Sequence, residues 1–393
     1  MRFARIAIII LVAASAVAAD RRRAVSPVTA HFCDSGLDVA GVEVPPEFCI
    51  RKFADVPTPR VLLFAPNGDL FVSSPKSPTS GGAPAGAGAI FLFRDTKSDA
   101  PTRYTFAAGD TFRSVHGLLI KDDRFYYTVS DAVYSVSYSP GDLLIATATT
   151  QKVADLSRSE IYARFTHSLA ASVDGSILVA SGQTDNDHCP STDPRIGSVL
   201  RIGAGHDLRG DLVTVGLRDP LYIRCMPWGT CYAAELSGDA WDSVGGTEKL
   251  IEIHDGDTFG YPCCVDRNVP NPNLVADCSQ VVQSKHTFPL HNTPFGFDWE
   301  RTSSWPQPYR GAFFVGLHGS FGTWVNAGLR WAPVDPDTHI PTQQTTDFAK
   351  GFGKMGAISR VADVAFAPDG RLFFCDDQGG AIYWIAPKTL KRR

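Results

Sequence analysis

The residues best suited to chemistry gather in one stretch, Gly216 to Pro262, where an arginine and a carboxylate precede an acidic, glycine-rich loop. Arg218 and Asp219 end an apolar run just before Pro220, where a residue with no N–H to donate takes the chain out of regular pairing. Charged side chains at such a point are placed to meet a ligand. Glu235, Asp239, Asp242 and Glu248 follow, separated by Gly and Ser. They supply hard oxygen donors on a flexible backbone, the donor type that calcium takes, at a spacing that is not that of an EF-hand. Histidine is the other candidate: His116 and His167 each precede an apolar run, and an imidazole titrates near neutrality, so it can take up a proton without large environmental tuning.

This stretch resembles the quinoprotein sugar dehydrogenases, the glucose and sorbosone dehydrogenase family, in which a G-x-R-[ND]-P segment leads to an acidic loop and then to Y-G-[WY]-P. Here the elements read Gly216-Leu217-Arg218-Asp219-Pro220, Glu235 to Glu248, and Phe259-Gly260-Tyr261-Pro262. The resemblance implies a six-bladed β-propeller that holds pyrroloquinoline quinone and calcium on its axis and oxidises sugars. It implies that His167, directly before an L-x-x-x-x-DG-x-L-x-V strand, is the base for the sugar hydroxyl. It further implies that Arg218, Asp219, Arg360, His318 and Thr293 border the cofactor, and that Glu235, Asp239 and Glu248 serve the metal. Arg360 stands where the family has an arginine for a cofactor carboxylate, a pairing that suits a guanidinium. Three positions depart from the glucose dehydrogenase pattern: Ala362 replaces a second arginine, His318 a lysine, and Asp219 a common asparagine. These departures argue against glucose itself as the substrate.

The elements that must position these residues are legible as repeats. An apolar alternation, a turn and a strand rich in Val, Ile, Phe or Tyr recur from Val61, Leu118, Leu169, Tyr222 and Val364, with a looser copy from Phe295. Six copies at about 60 residues each fit six blades with long loops better than they fit the shorter standard repeats. The expected fold is therefore all-β, a six-bladed propeller, with a β-sandwich carrying insertions as the alternative. The segment Glu47 to Val56 precedes the first copy without a partner, while Gly379 to Pro387 ends the last. Pairing the two would close the ring and cover an exposed sheet edge.

Residues 1–19 read as a signal peptide: Arg2 and Arg5, an apolar run from Ile6 to Val17, then small residues at the cleavage position. That run is too short to span a membrane. Residues 20–46 form a lead-in, and 47–393 the propeller. Nine cysteines in an exported chain read as disulfides. Cys225 with Cys231 across a hairpin, Cys33 with Cys49, and one of Cys263 and Cys264 with Cys278 are the expected pairs, and the odd total leaves a free thiol. The expected location is secreted or periplasmic.

Formal net charge is −4, and no basic cluster is interleaved with aromatics, so a nucleic-acid footprint is absent. Gly81 to Ala89 lacks the ending of a phosphate loop, Ser320 lies outside a nucleophile elbow, and Asp185 to His188 reads as a solvated polar loop. The partners expected are a small-molecule sugar and an external electron acceptor, with no nucleic acid and no membrane span. A calcium-dependent lactonase using the acidic loop, and a propeller that only binds glycan or protein, are the alternative functions; fold alone does not choose among them.

Overall fold

The computed structural model describes residues 29–30, 32–34, 39–76, 84–156, 166–182, 189, 193–203, 210–238, 247–320, 322 and 324–391. The expected signal peptide, Asp239, Asp242 and the segment Asp185 to His188 lie outside them.

The hairpin turns show how the sequence builds the repeat. In A-P-N-G-D, Gly68 N–H donates to the Ala65 carbonyl and Ala65 N–H to the Asp69 carbonyl, both at 2.9 Å. The same pair of bonds recurs at Ser172 to Ser176, Met226 to Thr230 and Ala367 to Arg371. Each turn needs a left-handed residue in its fourth position, and each has glycine there, with φ of +89° at Gly68 and +85° at Gly175. A tight turn of this kind returns the chain antiparallel to itself, so each copy becomes a sheet.

Six such sheets form six blades. Blade 1 comprises Leu62–Phe64, Leu70–Ser74, Ala89–Arg94 and Thr102–Ala108; blade 2, Leu118–Lys121, Arg124–Val129, Ala132–Ser137 and Gln151–Asp155. Blade 3 holds Leu169–Ala171, Ile177–Ser181, Ser198–Ile202 and Asp211–Val215, and blade 4 holds Asp219–Cys225, Cys231–Leu236, Glu248–Glu252 and His286–Phe288. Blade 5 holds Pro294–Trp299, Phe313–Leu317, Gly328–Ala332 and Thr346–Ala349. Blade 6 takes Asp363–Phe366, Leu372–Asp376 and Ala381–Pro387 from the C-terminal end, and its fourth strand, Phe48–Asp55, from the N-terminal end. This is the expected closure, with Phe48 opposite Pro387 and Asp55 opposite Ala381. The innermost strand of each blade touches that of the next, and Asp363–Phe366 returns to Leu62–Phe64. The protein is an all-β, six-bladed propeller.

Second strands such as Leu70–Ser74, Ile177–Ser181 and Leu372–Asp376 are buried throughout, which is why they read as unbroken apolar runs. Outer strands such as Thr102–Ala108 are largely exposed and carry the polar residues. The many phenylalanines fill the wedges between blades. Phe71, Phe106, Phe125 and Tyr138 pack edge-on or tilted between blades 1 and 2, and Phe48, Trp305, Phe314 and Phe348 do so where blades 5 and 6 meet.

The disulfides are Cys33–Cys49, Cys225–Cys231, Cys264–Cys278 and Cys189–Cys263. The first three follow the expected pairings, the fourth joins a loop of blade 3 to the insertion in blade 4, and Cys375 is the buried free thiol. One further pairing was not legible: Asp257–Thr258 from that insertion adds a parallel fifth strand to blade 3.

Candidate active site

Each innermost strand begins at the same end of the propeller axis, and each second strand ends there. Residues one to three positions before each innermost strand therefore lie at this end: Arg60, His116, His167, Arg218, Thr293 and Arg360 in blades 1 to 6. His318, Asp377 and Glu235 reach the same face from the ends of second strands. The structure thus brings the sequence-derived residues of five separate copies to one face.

Arg360 and His318 meet at a residue that the sequence reading did not select. Arg360 Nε donates to Asp377 Oδ1 at 2.8 Å, Arg60 Nη1 donates to Asp377 Oδ2, and His318 Nε2 lies 3.3 Å from both oxygens. Burial alone would raise the Asp377 pKa, but His318 and the two guanidiniums hold it well below the usual carboxylate range. Burial, reinforced by the Arg360 cation, pushes His318 down to about 3, so its imidazole is neutral at pH 7. Aromatic faces complete the cluster: His318 stacks on Phe295 with centroids 3.8 Å apart, Arg60 lies over the same ring, and Arg360 lies 4.0 Å from the Trp324 centroid.

The two histidines differ in their surroundings. His167 Nδ1 lies 3.1 Å from the Ala180 carbonyl oxygen and Nε2 3.3 Å from that of Ser130. Burial lowers the His167 pKa. The carbonyl of His167 accepts from Thr128 Oγ1 at 2.7 Å and Gly117 N–H at 3.0 Å, and His116 Nδ1 lies 3.3 Å from it. His116 Nε2 is buried without a hydrogen-bond partner.

Blade 4 places Arg218 through its backbone. Arg218 N–H donates to Glu235 Oε1 at 2.9 Å, and its Nη1 donates to the Ser237 carbonyl at 2.8 Å. The loop bearing Tyr261 lies against this point because two glycine backbones cross. Tyr261 N–H donates to the Gly216 carbonyl at 2.9 Å, and a Cβ on Gly216 would sit 2.5 Å from Gly260 N. The G-x-R and Y-G-[WY]-P elements are thus two halves of one contact. Asp219 is fully buried, and Thr293, partly exposed, accepts from His318 N–H at 2.9 Å.

Glu235 and Glu248 are both buried and both turn to backbone amides. Glu248 accepts from Ser237 N–H at 2.9 Å and from His291 N–H at 3.2 Å. Burial first, with the Glu235 carboxylate adding to it, pushes Glu248 up to about 8. A carboxyl with both oxygens on amides does not fit a calcium ligand as it stands, whereas Glu235 Oε2 has no hydrogen-bond partner. Among the described residues no three His, Cys, Asp or Glu side chains cluster as a metal site.

No family model and no curated protein matches the sequence. Solved structures do match. A Trichoderma reesei enzyme of carbohydrate-active family AA12 is 17% identical at a TM-score of 0.70, covering 90% of this chain and 99% of its own. The holo pyranose dehydrogenase PQQ domain from Coprinopsis cinerea is 14% identical at 0.69, covering 88% and 96%. The PQQ-bound aldose sugar dehydrogenase from Streptomyces coelicolor is 15% identical at 0.59, covering 87% and 99%. The chain has the fold of the soluble quinoprotein sugar dehydrogenases.

Within that quinoprotein fold, the axial face carries three guanidiniums, those of Arg60, Arg218 and Arg360, and two of the buried nitrogens of Arg60, Nε and Nη2, have no hydrogen-bond partner. Such a donor set fits a flat polycarboxylate, and leaving those donors unmet would cost about 1–3 kcal/mol apiece. Ala362 is buried in the core and hydrogen-bonds through its backbone to Gly296 and Cys375. Aligning the repeats on their innermost strands is the signal that finds Arg60, since it puts that residue in register with His116 and His167.

Proposed function

We propose that the protein is an exported quinoprotein oxidoreductase that oxidises a hydroxyl of an aldose or related polyol and passes the electrons to an external acceptor. The observation that carries this reading is the convergence of Arg60, Arg218, Arg360 and the His116–His167 pair on one end of the axis. Pyrroloquinoline quinone, when bound, supplies a two-electron acceptor for hydride. Arg218, Arg360 and Arg60 would hold its carboxylates, with Asp219, His318 and Thr293 bordering it. His167, in the sequence reading, takes the proton of the substrate hydroxyl, and its neighbour His116 shares that part of the site. Calcium would draw on Glu235 Oε2 and on Asp239 of the adjacent loop, with Glu248 joining only after releasing its amides. The disulfides fit an oxidising compartment, and among the described residues no helix is long and apolar enough to cross a membrane.

The test is calorimetric titration of the purified protein with pyrroloquinoline quinone, with and without calcium, followed by reduction of an artificial acceptor in the presence of a panel of aldoses and polyols. Saturable quinone binding and sugar-dependent reduction are expected. No binding with calcium present would remove the oxidoreductase reading. Arg360→Ala should weaken quinone binding by about tenfold or more, because a carboxylate then loses its charged partner.

A further inference from the structure

Two carboxylates stand side by side where the second strand of blade 6 ends, and they hold different things. Asp377 takes the guanidiniums of Arg60 and Arg360 and faces His318. Asp376, the buried last residue of Leu372–Asp376, takes backbone amides. Its Oδ2 accepts from Ser359 N–H at 2.7 Å, while its Oδ1 accepts from Gly379 N–H at 2.8 Å, Gln378 N–H at 3.1 Å and Arg360 N–H at 3.4 Å. A Cβ on Gly379 would collide with Oδ2, so glycine there lets the carboxylate lie against the chain. One side chain joins two segments: the turn that follows it, and the chain that leads through Arg360 into the innermost strand. Blade 4 treats its own arginine in the same way, with Glu235 from the second strand accepting from Arg218 N–H.

The tether matters because of what lies around it. Residues 354–357 are exposed, residues 359–362 lie in no strand, and the innermost strand begins only at Asp363. Arg360 therefore has no ladder of its own to fix its backbone, and a guanidinium on a flexible side chain is placed only as well as its root is held. Asp377 grips the head of Arg360, but it divides that grip with Arg60, and an incoming carboxylate would compete for the same donors. Asp376 holds the root. We infer that Asp376 is a positioning residue for the cofactor: its carboxylate clasps the Ser359–Arg360 backbone and so sets where the Arg360 guanidinium meets a quinone carboxylate. This rests on the quinoprotein reading above.

The clasp carries a pH dependence. Burial first, with the neighbouring Asp377 carboxylate adding to it, pushes Asp376 up to about 6 against the pull of the Gly379, Ser359 and Arg360 amides. The charged and titratable groups around it are Asp377, Arg360 and Tyr383 of the adjacent strand, a phenol that burial pushes up to about 12 and that stays neutral. Oδ1 already carries three amides and Oδ2 one, so a proton enters at Oδ2, where it displaces the Ser359 amide and loosens the Arg360 segment. Quinone binding then favours the ionised form and, by linkage, expels a proton near pH 6. The stability sign is opposite. The folded value lies above the unfolded carboxylate value of about 3.9, so Asp376 adds stability as pH falls through that window and loses it as pH rises. Acid at this residue favours the fold and disfavours the quinone, whereas a purely structural residue would move both the same way.

The experiment titrates the wild type and Asp376→Asn with pyrroloquinoline quinone by calorimetry, calcium present, from about pH 5 to about 7.5 in two buffers of different protonation enthalpy, with thermal midpoints at each pH. Asparagine keeps the Oδ1 acceptor for the turn but points an N–H at Ser359. Near pH 7 the variant should bind quinone about fivefold more weakly or worse. As pH falls through about 6, wild-type affinity should drop toward that of the variant, with proton release on binding that the variant lacks. Over the same range the wild type's thermal midpoint should rise relative to the variant's. Equal affinities near pH 7, or parallel affinity profiles, overturn the assignment. A weaker variant whose midpoint falls in step with its affinity at every pH, with the same proton release as the wild type, overturns it as well. Should the variant fail to fold, the wild type decides alone: quinone binding without proton release near pH 6 overturns the proposal. A wild type that binds no quinone at any pH removes the underlying reading instead.

Discussion

Asp377 governs the axial face at the scale of single residues, because Arg60, Arg360 and His318 all converge on its carboxylate. Asp377→Asn would leave buried guanidiniums facing a neutral amide. Removing one partner of a buried ion pair typically costs about 3 kcal/mol or more, so the denaturation midpoint should fall sharply while the variant's secondary structure at low denaturant stays β. His286 gives a second prediction. Burial pushes it down to about 4, below its unfolded value of about 6.5. Between those values the unfolded chain takes up a proton that the folded chain refuses, so stability falls as pH drops through that window. In His286→Phe, melting temperatures measured from about pH 7.5 to about 4.5 should decline less steeply than in the wild type. Arg218, His167 and Arg360 were legible because each sits in a motif beside a recognisable strand. Arg60 and Asp377 were not: Arg60 lies in a plain P-R-V context, and Asp377 gains its meaning from partners 317 and 17 residues away.

At the scale of elements, the hairpin turn was the readable unit, since one glycine in a left-handed place serves four blades. Its cost can be isolated. A Cβ on Gly68 would meet nothing within 4 Å, so Gly68→Ala should lower stability by about 1 kcal/mol, from backbone conformation alone. Gly296 differs, for its added Cβ would lie 2.0 Å from Asp363 Oδ1. Gly296→Ala should therefore destabilise several times more than Gly68→Ala in the same chemical denaturation series. The blade 5 copy read loosely because its turn carries the insertion through Trp305 and Tyr309, residues that fill the wedge against Phe48. Asp257–Thr258 could not be read at all: two residues carry no periodicity, and their pairing depends on the fold around them.

For the whole molecule, ring closure was legible as an unpartnered strand at each end of the repeats, and the Cys33–Cys49 disulfide anchors that junction. Cys33→Ser with Cys49→Ser should lower stability by about 3 kcal/mol, given the 16-residue separation, seen as an earlier unfolding transition under non-reducing conditions. Closure also sets an order of events during synthesis. Phe48–Asp55 is the first blade strand in the chain, yet its neighbour in the sheet is Ala381–Pro387, so its partner does not exist until nearly all of the polypeptide has been made. Local hairpins can form as they emerge, whereas the last blade depends on the most distant contacts in the sequence, the class that forms slowest. A protein built this way is vulnerable during its wait. Until the final strand arrives, both ends of the array present unsatisfied backbone, and a second nascent copy could supply the missing strand as readily as the chain's own terminus.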